Sequence, residues 1–187
     1  MIDLIEYNKE NNYQIYRSNY IVKNIEGIIN DCYIAHNRFT QLFPGRDSTY
    51  TYKQYNIFSL TATSIHFYNI YKDLIFCTKE FLKTQDLNNN PVWFQSWMNF
   101  HKPHEVLQWH DHEWPYHGYM SIDPKKSKTI FEKYSISNET GFLYFGEGYK
   151  KHKVEVLEPY VGERITVGYD FTLKSNILDN ISLIPII

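Results

Sequence analysis

The spacing of apolar residues along this chain changes period once. Ile21, Ile25, Ile28, Ile29, Cys32, Ala35 and Phe39 recur at three- and four-residue steps, which places them on one stripe of a helix. Phe43-Pro-Gly-Arg46 closes that stretch with a turn signal. A second stripe runs through Ile65, Tyr68, Tyr71, Leu74, Ile75, Thr78, Phe81 and Leu82, with Thr63 or Ser64 as the N-cap and a loop at Asn88-Asn-Asn-Pro91. After Pro91 the pattern shortens to strand length. Strands are predicted over 92–100, 106–112, 118–122, 128–136, 141–145, 151–157 and 164–173, each rich in Val, Ile, Phe, Tyr or Trp and bounded by Pro, Gly, Asn or Asp. Short strands at near-regular spacing predict a sandwich or barrel. Helices followed by strands predict an α+β protein rather than alternating βαβ units. The expected organisation is one domain over 1–187: a mainly helical support (1–90), a β core (91–175) and a C-terminal tail (176–187).

Composition narrows the class. The chain has 187 residues, 43% of them hydrophobic and 18% aromatic, including 17 Tyr and 12 Phe, which excludes a disordered chain and favours strands. A net charge of −2 provides no broad positive field, so duplex nucleic acid is not an expected partner. Lys125, Lys126 and Lys128, and then Lys150, Lys151 and Lys153, read as solvated hairpin ends; the second group flanks His152, where it would attract an anionic substrate. Cys32 and Cys77 fall inside the helical patterns and read as buried free thiols of a reducing compartment. Met1-Ile-Asp-Leu-Ile-Glu carries acids where a signal peptide needs basic residues, and no segment approaches the roughly 20 apolar residues of a membrane helix. A soluble, cytoplasmic protein without a membrane partner is therefore expected.

Histidines bring in the chemistry. Six of eight lie between positions 101 and 152. His110 and His112 are two apart, so on a strand both face one way and Asp111 the other. His152 follows 42 residues later (152 − 110), and Arg164 twelve beyond that (164 − 152). Three imidazoles from two strands would form one face of a coordination sphere and leave the other face open. The competing view is of solvated loop histidines beside Trp109 and Trp114. His101 and His104 flank Pro103 and read as surface residues of a turn. His117 would line the pocket mouth or donate to a ligand from behind. His36 and His66 sit in the helical patterns as structural residues. Trp93 and Trp97, four apart, share one strand face, and with Trp109 and Trp114 either pack the core or wall a dry pocket.

From about Trp93 to Phe171 the chain resembles the 2-oxoglutarate- and iron(II)-dependent dioxygenases. Their motif is His-X-Asp/Glu, a distal His, and an Arg about ten residues further on. The matching positions here are His110 and His112, His152 and Arg164. Gly141-Phe-Leu-Tyr-Phe-Gly146 is similar to the strand and turn before the family's distal His, and Arg164-Ile-Thr166 to its Arg-X-Ser/Thr. Asn99 stands where some members place an Asn that contacts the cosubstrate. The resemblance implies a double-stranded β-helix (jelly-roll, cupin-like) core with the N-terminal helices packed on it. It implies Fe(II) on His110, His112 and His152, and 2-oxoglutarate held through Arg164, Thr166 and Asn99. The implied reaction is hydroxylation of a small molecule or protein side chain with release of succinate and CO2.

One departure matters. His112 occupies the family's carboxylate position, so the ligand set carries no negative charge. Alternation favours His112 as the ligand; a bulge would bring in Asp111, and an early strand end Glu113. All-nitrogen ligation also suits zinc, copper or nickel. This leaves open a cupin-like three-histidine metalloprotein, a dioxygenase or isomerase that does not use 2-oxoglutarate. Cupins place a Glu several residues after the pair, where this chain has Tyr116-His-Gly118. A non-enzymatic β-domain with a tyrosine-rich binding surface is the third candidate. Neither substrate identity nor oligomeric state has a signal in the chain.

Overall fold

The computed structural model describes residues 1–45, 54–87, 90–105, 107–173 and 183–186. The chain opens with an antiparallel hairpin, β1 (Ile2–Asn8) and β2 (Tyr13–Ser18), so the first third is not purely helical support. Its turn is built by asparagines: Asn11 N–H donates to Asn8 Oδ1 at 2.9 Å, and Asn12 takes a positive φ of 44°, a region Asn tolerates better than most residues. Glu6, Leu4 and Ile5 break the alternation on β1, which is why the period-two signal was faint there; β1 pairs with a register shift between Leu4 and Glu6.

The first helical stripe forms two helices, α1 (Asn19–Lys23) and α2 (Ile25–Leu42), separated at Asn24. Ser18 caps α1 by accepting from Ile21 N–H at 3.1 Å. Helix α2 buries Ile28, Cys32, Ala35 and Phe39, and it stops before Pro44-Gly45, where Gly45 takes φ +73°. After α3 (Ile57–Leu60) comes α4 (Ile65–Thr84), whose N-cap is Ser64 rather than Thr63. Ser64 Oγ accepts from Phe67 N–H at 3.0 Å and donates to Asp31 of α2, so one hydroxyl both starts the helix and ties it to its neighbour. Cys32 and Cys77 are both buried and free, Cys77 facing the same interior from α4.

The β core is β3 (Trp93–His101), β4 (Tyr116–Asp123), β5 (Ser127–Phe131), β6 (Ser135–Ser137), β7 (Phe142–Glu147), β8 (His152–Val156), β9 (Arg164–Thr172) and β10 (Ile184–Pro185). The expected strand over 128–136 is in fact a tight hairpin, β5 and β6, with Phe131 N–H donating to Tyr134 O. The expected strand over 106–112 does not form. Residue 106 lies outside the described residues, and of 107–112 only His110 makes a β-bridge. The tail is described only at 183–186, where β10 adds to the free edge of β3. Arg46, Asn88 and Asn89 of the expected turn and loop lie outside the described residues.

Two antiparallel sheets result, in the orders β1-β2-β7-β4-β9-β3-β10 and β6-β5-β8. Together they form the double-stranded β-helix of an α+β fold. The larger sheet is covered on both faces at its centre, while its outer strand β1 is exposed. Every residue of β9 is buried, and its alternate residues divide the work. Ile165, Val167, Tyr169 and Phe171 join the core with the helices, while Arg164, Thr166, Gly168 and Asp170 point to the side facing the smaller sheet. A second, smaller core of Tyr13, Ile15, Tyr119, Phe131, Ile136 and Tyr144 seals the sheets on one flank. No helix among the described residues is long and apolar enough to cross a membrane.

The close approach of β4, β7 and β9 depends on Gly118. A Cβ there would lie 2.0 Å from Tyr169 Cε2 and 2.2 Å from the Tyr144 carbonyl oxygen. The carbonyl cannot rotate away. Gly118→Ala is therefore expected to destabilise the protein by at least about 1–3 kcal/mol, read as a lower midpoint in urea denaturation.

Candidate metal centre and anion pocket

The larger sheet places polar side chains over an interior cavity of about 330 Å³, lined also by Leu107, Tyr119 and Val154. Pairing of β3 with β9 sets Trp97 opposite Gly168, Asn99 opposite Thr166 and His101 opposite Arg164. Pairing of β4 with β9 sets His117 opposite Asp170. The smaller sheet contributes His152, the first residue of β8.

His110 and His112 reach the cavity without the strand alternation that the sequence suggested. His110 is fixed by a two-way bridge to His152: each N–H donates to the other's carbonyl, at 3.0 and 2.9 Å. His112 N–H donates to Gly148 O at 2.9 Å, in the turn that leads into β8. Both histidines are thus pinned to the segment that carries the third. The three rings gather with centroids 4.3 Å apart (His110 and His152) and 5.4 Å apart (each of the other two pairs). Their ligand atoms lie within 4.8 Å of one another, so modest side-chain rotation brings them to the roughly 2 Å bonds of a bound ion. Asp111 and Glu113 are exposed, and neither belongs to this group.

Each ring presents the same nitrogen. His110 Nδ1 contacts Gln108 O at 2.7 Å and His152 Nδ1 contacts Lys150 O at 3.0 Å. A carbonyl can only accept, so both Nδ1 atoms carry the proton and both Nε2 lone pairs are free. His112 Nδ1 lies 3.0 Å from Asp170 Oδ1 and 3.2 Å from Oδ2. Its Nε2 is buried without a hydrogen-bond partner. A buried, orphaned lone pair beside two others is what a metal ion would satisfy, and hydrogen bonds behind the ring are the usual means of fixing such ligands. These residues fit an ion. Burial holds the His110 imidazole below its ordinary range and drives His152 well below it, so both are neutral and able to bind metal near pH 7.

His117 and Asp170 complete the group. His117 Nδ1 lies 3.0 Å from Asp170 Oδ1, and its ring stacks face to face on His112 with centroids 3.6 Å apart. Rings bound to one ion through bonds of about 2 Å splay apart rather than touch face to face, so His117 serves as a plate behind His112. Trp97 stacks over both, at 5.7 and 6.3 Å. Burial works against ionisation of Asp170, but the imidazoles of His112 and His117 outweigh it and hold its carboxyl below the usual range.

Twelve residues past His152, Arg164 is 2% exposed and makes no ion pair among the described residues. Glu155, on the preceding strand β8, pairs with Lys128 at 3.3 Å. Arg164 Nη2 instead donates to His101 Nδ1 at 2.9 Å, and its Nε is buried without a partner. Burial disfavours this charge, and a guanidinium in this position calls for an anion. Thr166 Oγ1 accepts from Asn99 Nδ2 at 3.3 Å beside it. Arg164, Thr166, Asn99 and the three histidines therefore line one cavity.

His101 was placed on the surface by its proximity to Pro103, yet it is buried on β3; only His104 is exposed. A usable signal existed, because His101 is two residues from Asn99 and so shares its face. Asp170 went unnoticed as well, although two-residue steps from Arg164 through Thr166 and Gly168 arrive at it. His36 and His66 are structural, packing on Phe100 and contacting Tyr20 Oη at 3.0 Å.

No protein-family model and no curated protein matches this chain. Among solved structures, the non-haem α-ketoglutarate-dependent carbocyclase SnoK from nogalamycin biosynthesis matches with a TM-score of 0.55 over 89% of this chain and 84% of its own, at 9% identity. That likeness is one of fold. A 2-oxoglutarate–Fe(II) oxygenase family protein from Burkholderia pseudomallei matches at 10% identity, TM-score 0.41, over 56% of this chain and 53% of its own. A cupin-2 domain protein from Shewanella frigidimarina matches at 16% identity, TM-score 0.33, over 41% of this chain and 69% of its own. At those scores nothing further rests on the last two.

Burial drives the His117 imidazole down to about 3 from 6.5. Between those values the unfolded chain binds a proton that the folded chain refuses, so stability falls as pH falls. The metal-free protein is expected to lose denaturation midpoint steadily from pH 6.5 towards 4, and His117→Phe to flatten that slope. An unchanged slope in the variant would show that His117 is not the group responsible.

Proposed function

We propose that this chain is a non-haem Fe(II)- and 2-oxoglutarate-dependent oxygenase that hydroxylates a small molecule or protein side chain. The overall conversion takes 2-oxoglutarate, dioxygen and substrate to succinate, CO2 and hydroxylated product. The observation that carries this is the pairing, in one cavity, of three Nδ1-tethered imidazoles with a buried guanidinium that has no carboxylate partner among the described residues. A dicarboxylic acid satisfies both ends at once.

His110, His112 and His152 would hold the metal through Nε2. Bound iron supplies a centre that activates dioxygen once a keto acid is attached. The protein's own residues do the rest. Arg164, pre-set by His101, grips the distal carboxylate, where its planar fork suits bidentate pairing better than a lysine would. Thr166 and Asn99 add hydrogen bonds on the same strand faces. Trp97, Leu107 and Val154 exclude water and leave a small apolar space beside the imidazoles for substrate.

A second function keeps the metal and discards the cosubstrate: a cupin-like three-histidine metalloprotein. His112 in place of a carboxylate favours it, because three neutral nitrogens also suit zinc or copper. Anaerobic reconstitution separates the two. Iron(II) with 2-oxoglutarate is expected to give a visible charge-transfer band, and succinate is expected on admitting air. Zinc or copper in the purified protein with no 2-oxoglutarate effect would favour the second. Arg164→Ala is expected to weaken 2-oxoglutarate binding by about tenfold to a hundredfold while leaving metal content intact. Unchanged 2-oxoglutarate affinity would remove Arg164 from the site.

A further inference from the structure

We propose that Asp170 is a positioning residue that supplies, one hydrogen bond behind His112, the negative charge that the coordinating imidazoles lack. This rests on the metal centre but not on the use of 2-oxoglutarate.

Asp170 is 2% exposed and sits on the cavity face of β9. Its Oδ1 lies 3.0 Å from His112 Nδ1 and 3.0 Å from His117 Nδ1. No lysine or arginine pairs with it among the described residues; the two imidazoles are the partners the structure gives it. A buried carboxylate without such partners would be costly, so the arrangement is held together by its own hydrogen bonds. The geometry dictates proton positions. An ionised carboxylate only accepts, so both Nδ1 atoms carry hydrogen and both Nε2 lone pairs are free. For His112 that lone pair is the buried, partnerless nitrogen facing His110 and His152.

Three consequences follow from chemistry. The carboxylate holds the His112 ring in one orientation and one tautomer, as carboxylate–histidine–metal triads do. It restores to the centre the single negative charge that an imidazole ligand set lacks, at a distance of one ring. Engaging both rings through one carboxylate, Oδ2 with His112 at 3.2 Å and Oδ1 with His117 at 3.0 Å, also keeps the two stacked and so restrains His112 from turning its Nε2 away. Asp170 thus does electrostatically what a direct carboxylate ligand would do by bonding.

Two experiments test this on the whole chain. In the metal-free protein, nitrogen-15 NMR is expected to find both His112 and His117 as the Nδ1–H tautomer; a proton on Nε2 of either would overturn the assignment without any variant. In Asp170→Asn one of the two carboxylate oxygens that face the Nδ1–H groups becomes an NH2 donor, so the imidazole opposite it must change tautomer. Iron(II) and zinc(II), titrated anaerobically against a competing chelator, are expected to bind the variant about tenfold to a hundredfold more weakly, with the denaturation midpoint of the metal-free protein nearly unchanged. Equal affinity in both proteins would overturn the role of Asp170 while leaving the oxygenase proposal standing. A parent protein that binds metal but ignores 2-oxoglutarate would sink that proposal and leave this one. A parent that binds neither metal would overturn both.

Discussion

Pairing of β9 between β3 and β4 is the constraint from which the functional part of this molecule follows. The strand is buried on both faces, so its side chains are assigned to two different environments by parity alone. One set packs against α2 and α4 and contributes apolar area to the main core. The other set, Arg164, Thr166, Gly168 and Asp170, would be expensive to bury without partners, and the neighbouring strands supply them in register. His101 stands opposite Arg164, Asn99 opposite Thr166 and His117 opposite Asp170, while Trp97 covers Gly168. A slip of one residue would put two charges into the helical core, so the polar site and the apolar core specify the same register.

Charge placement in the cavity follows a consistent pattern. Burial keeps His110, His117 and His152 neutral, which avoids repulsion among imidazolium ions and leaves lone pairs for a ligand. The buried carboxylate of Asp170 lies behind them, already engaged by two N–H groups, while Asp111 stands at the exposed side of the cavity. The guanidinium of Arg164 lies at the other end, where among the described residues the imidazole of His101 is its side-chain hydrogen-bond partner. The cavity is therefore asymmetric, with imidazole lone pairs at one end and a buried guanidinium at the other. A ligand that is itself dianionic, with one end able to chelate, matches both.

The irregular segment before β4 has a counterpart in this logic. Residues 107–112 are held to β8 by the His110–His152 bridge, by His112 to Gly148 and by Val154 N–H to Leu107 O. A segment attached by a few hydrogen bonds at a cavity wall can adjust when an ion or substrate arrives more easily than a strand inside a ladder. Gly148 is part of this fit: a Cβ there would lie 1.9 Å from the Trp114 carbonyl oxygen, so loop and turn are pressed together.

The sequence by itself determined the helices α2 and α4, because their apolar residues repeat at helical spacing, and most of the strands after Pro91. It also marked His110, His112 and His152, with Arg164 beyond them, as candidates for one site, since their separations along the chain suit a returning sheet, but it left Asp111 and Glu113 open as alternatives to His112. It did not reveal β1, whose alternation is broken by a bulge, nor that 128–136 folds back on itself, because a tight turn at Glu132–Lys133 needs no glycine or proline. The tertiary structure alone decided that His101 is buried against Arg164, that His112 faces the cavity without a strand to aim it, and that Asp170 stands behind two rings. Those facts concern which residues meet across strand pairs 50 to 70 positions apart. Periodicity gives each side chain a face, but only the register between strands says what it finds there.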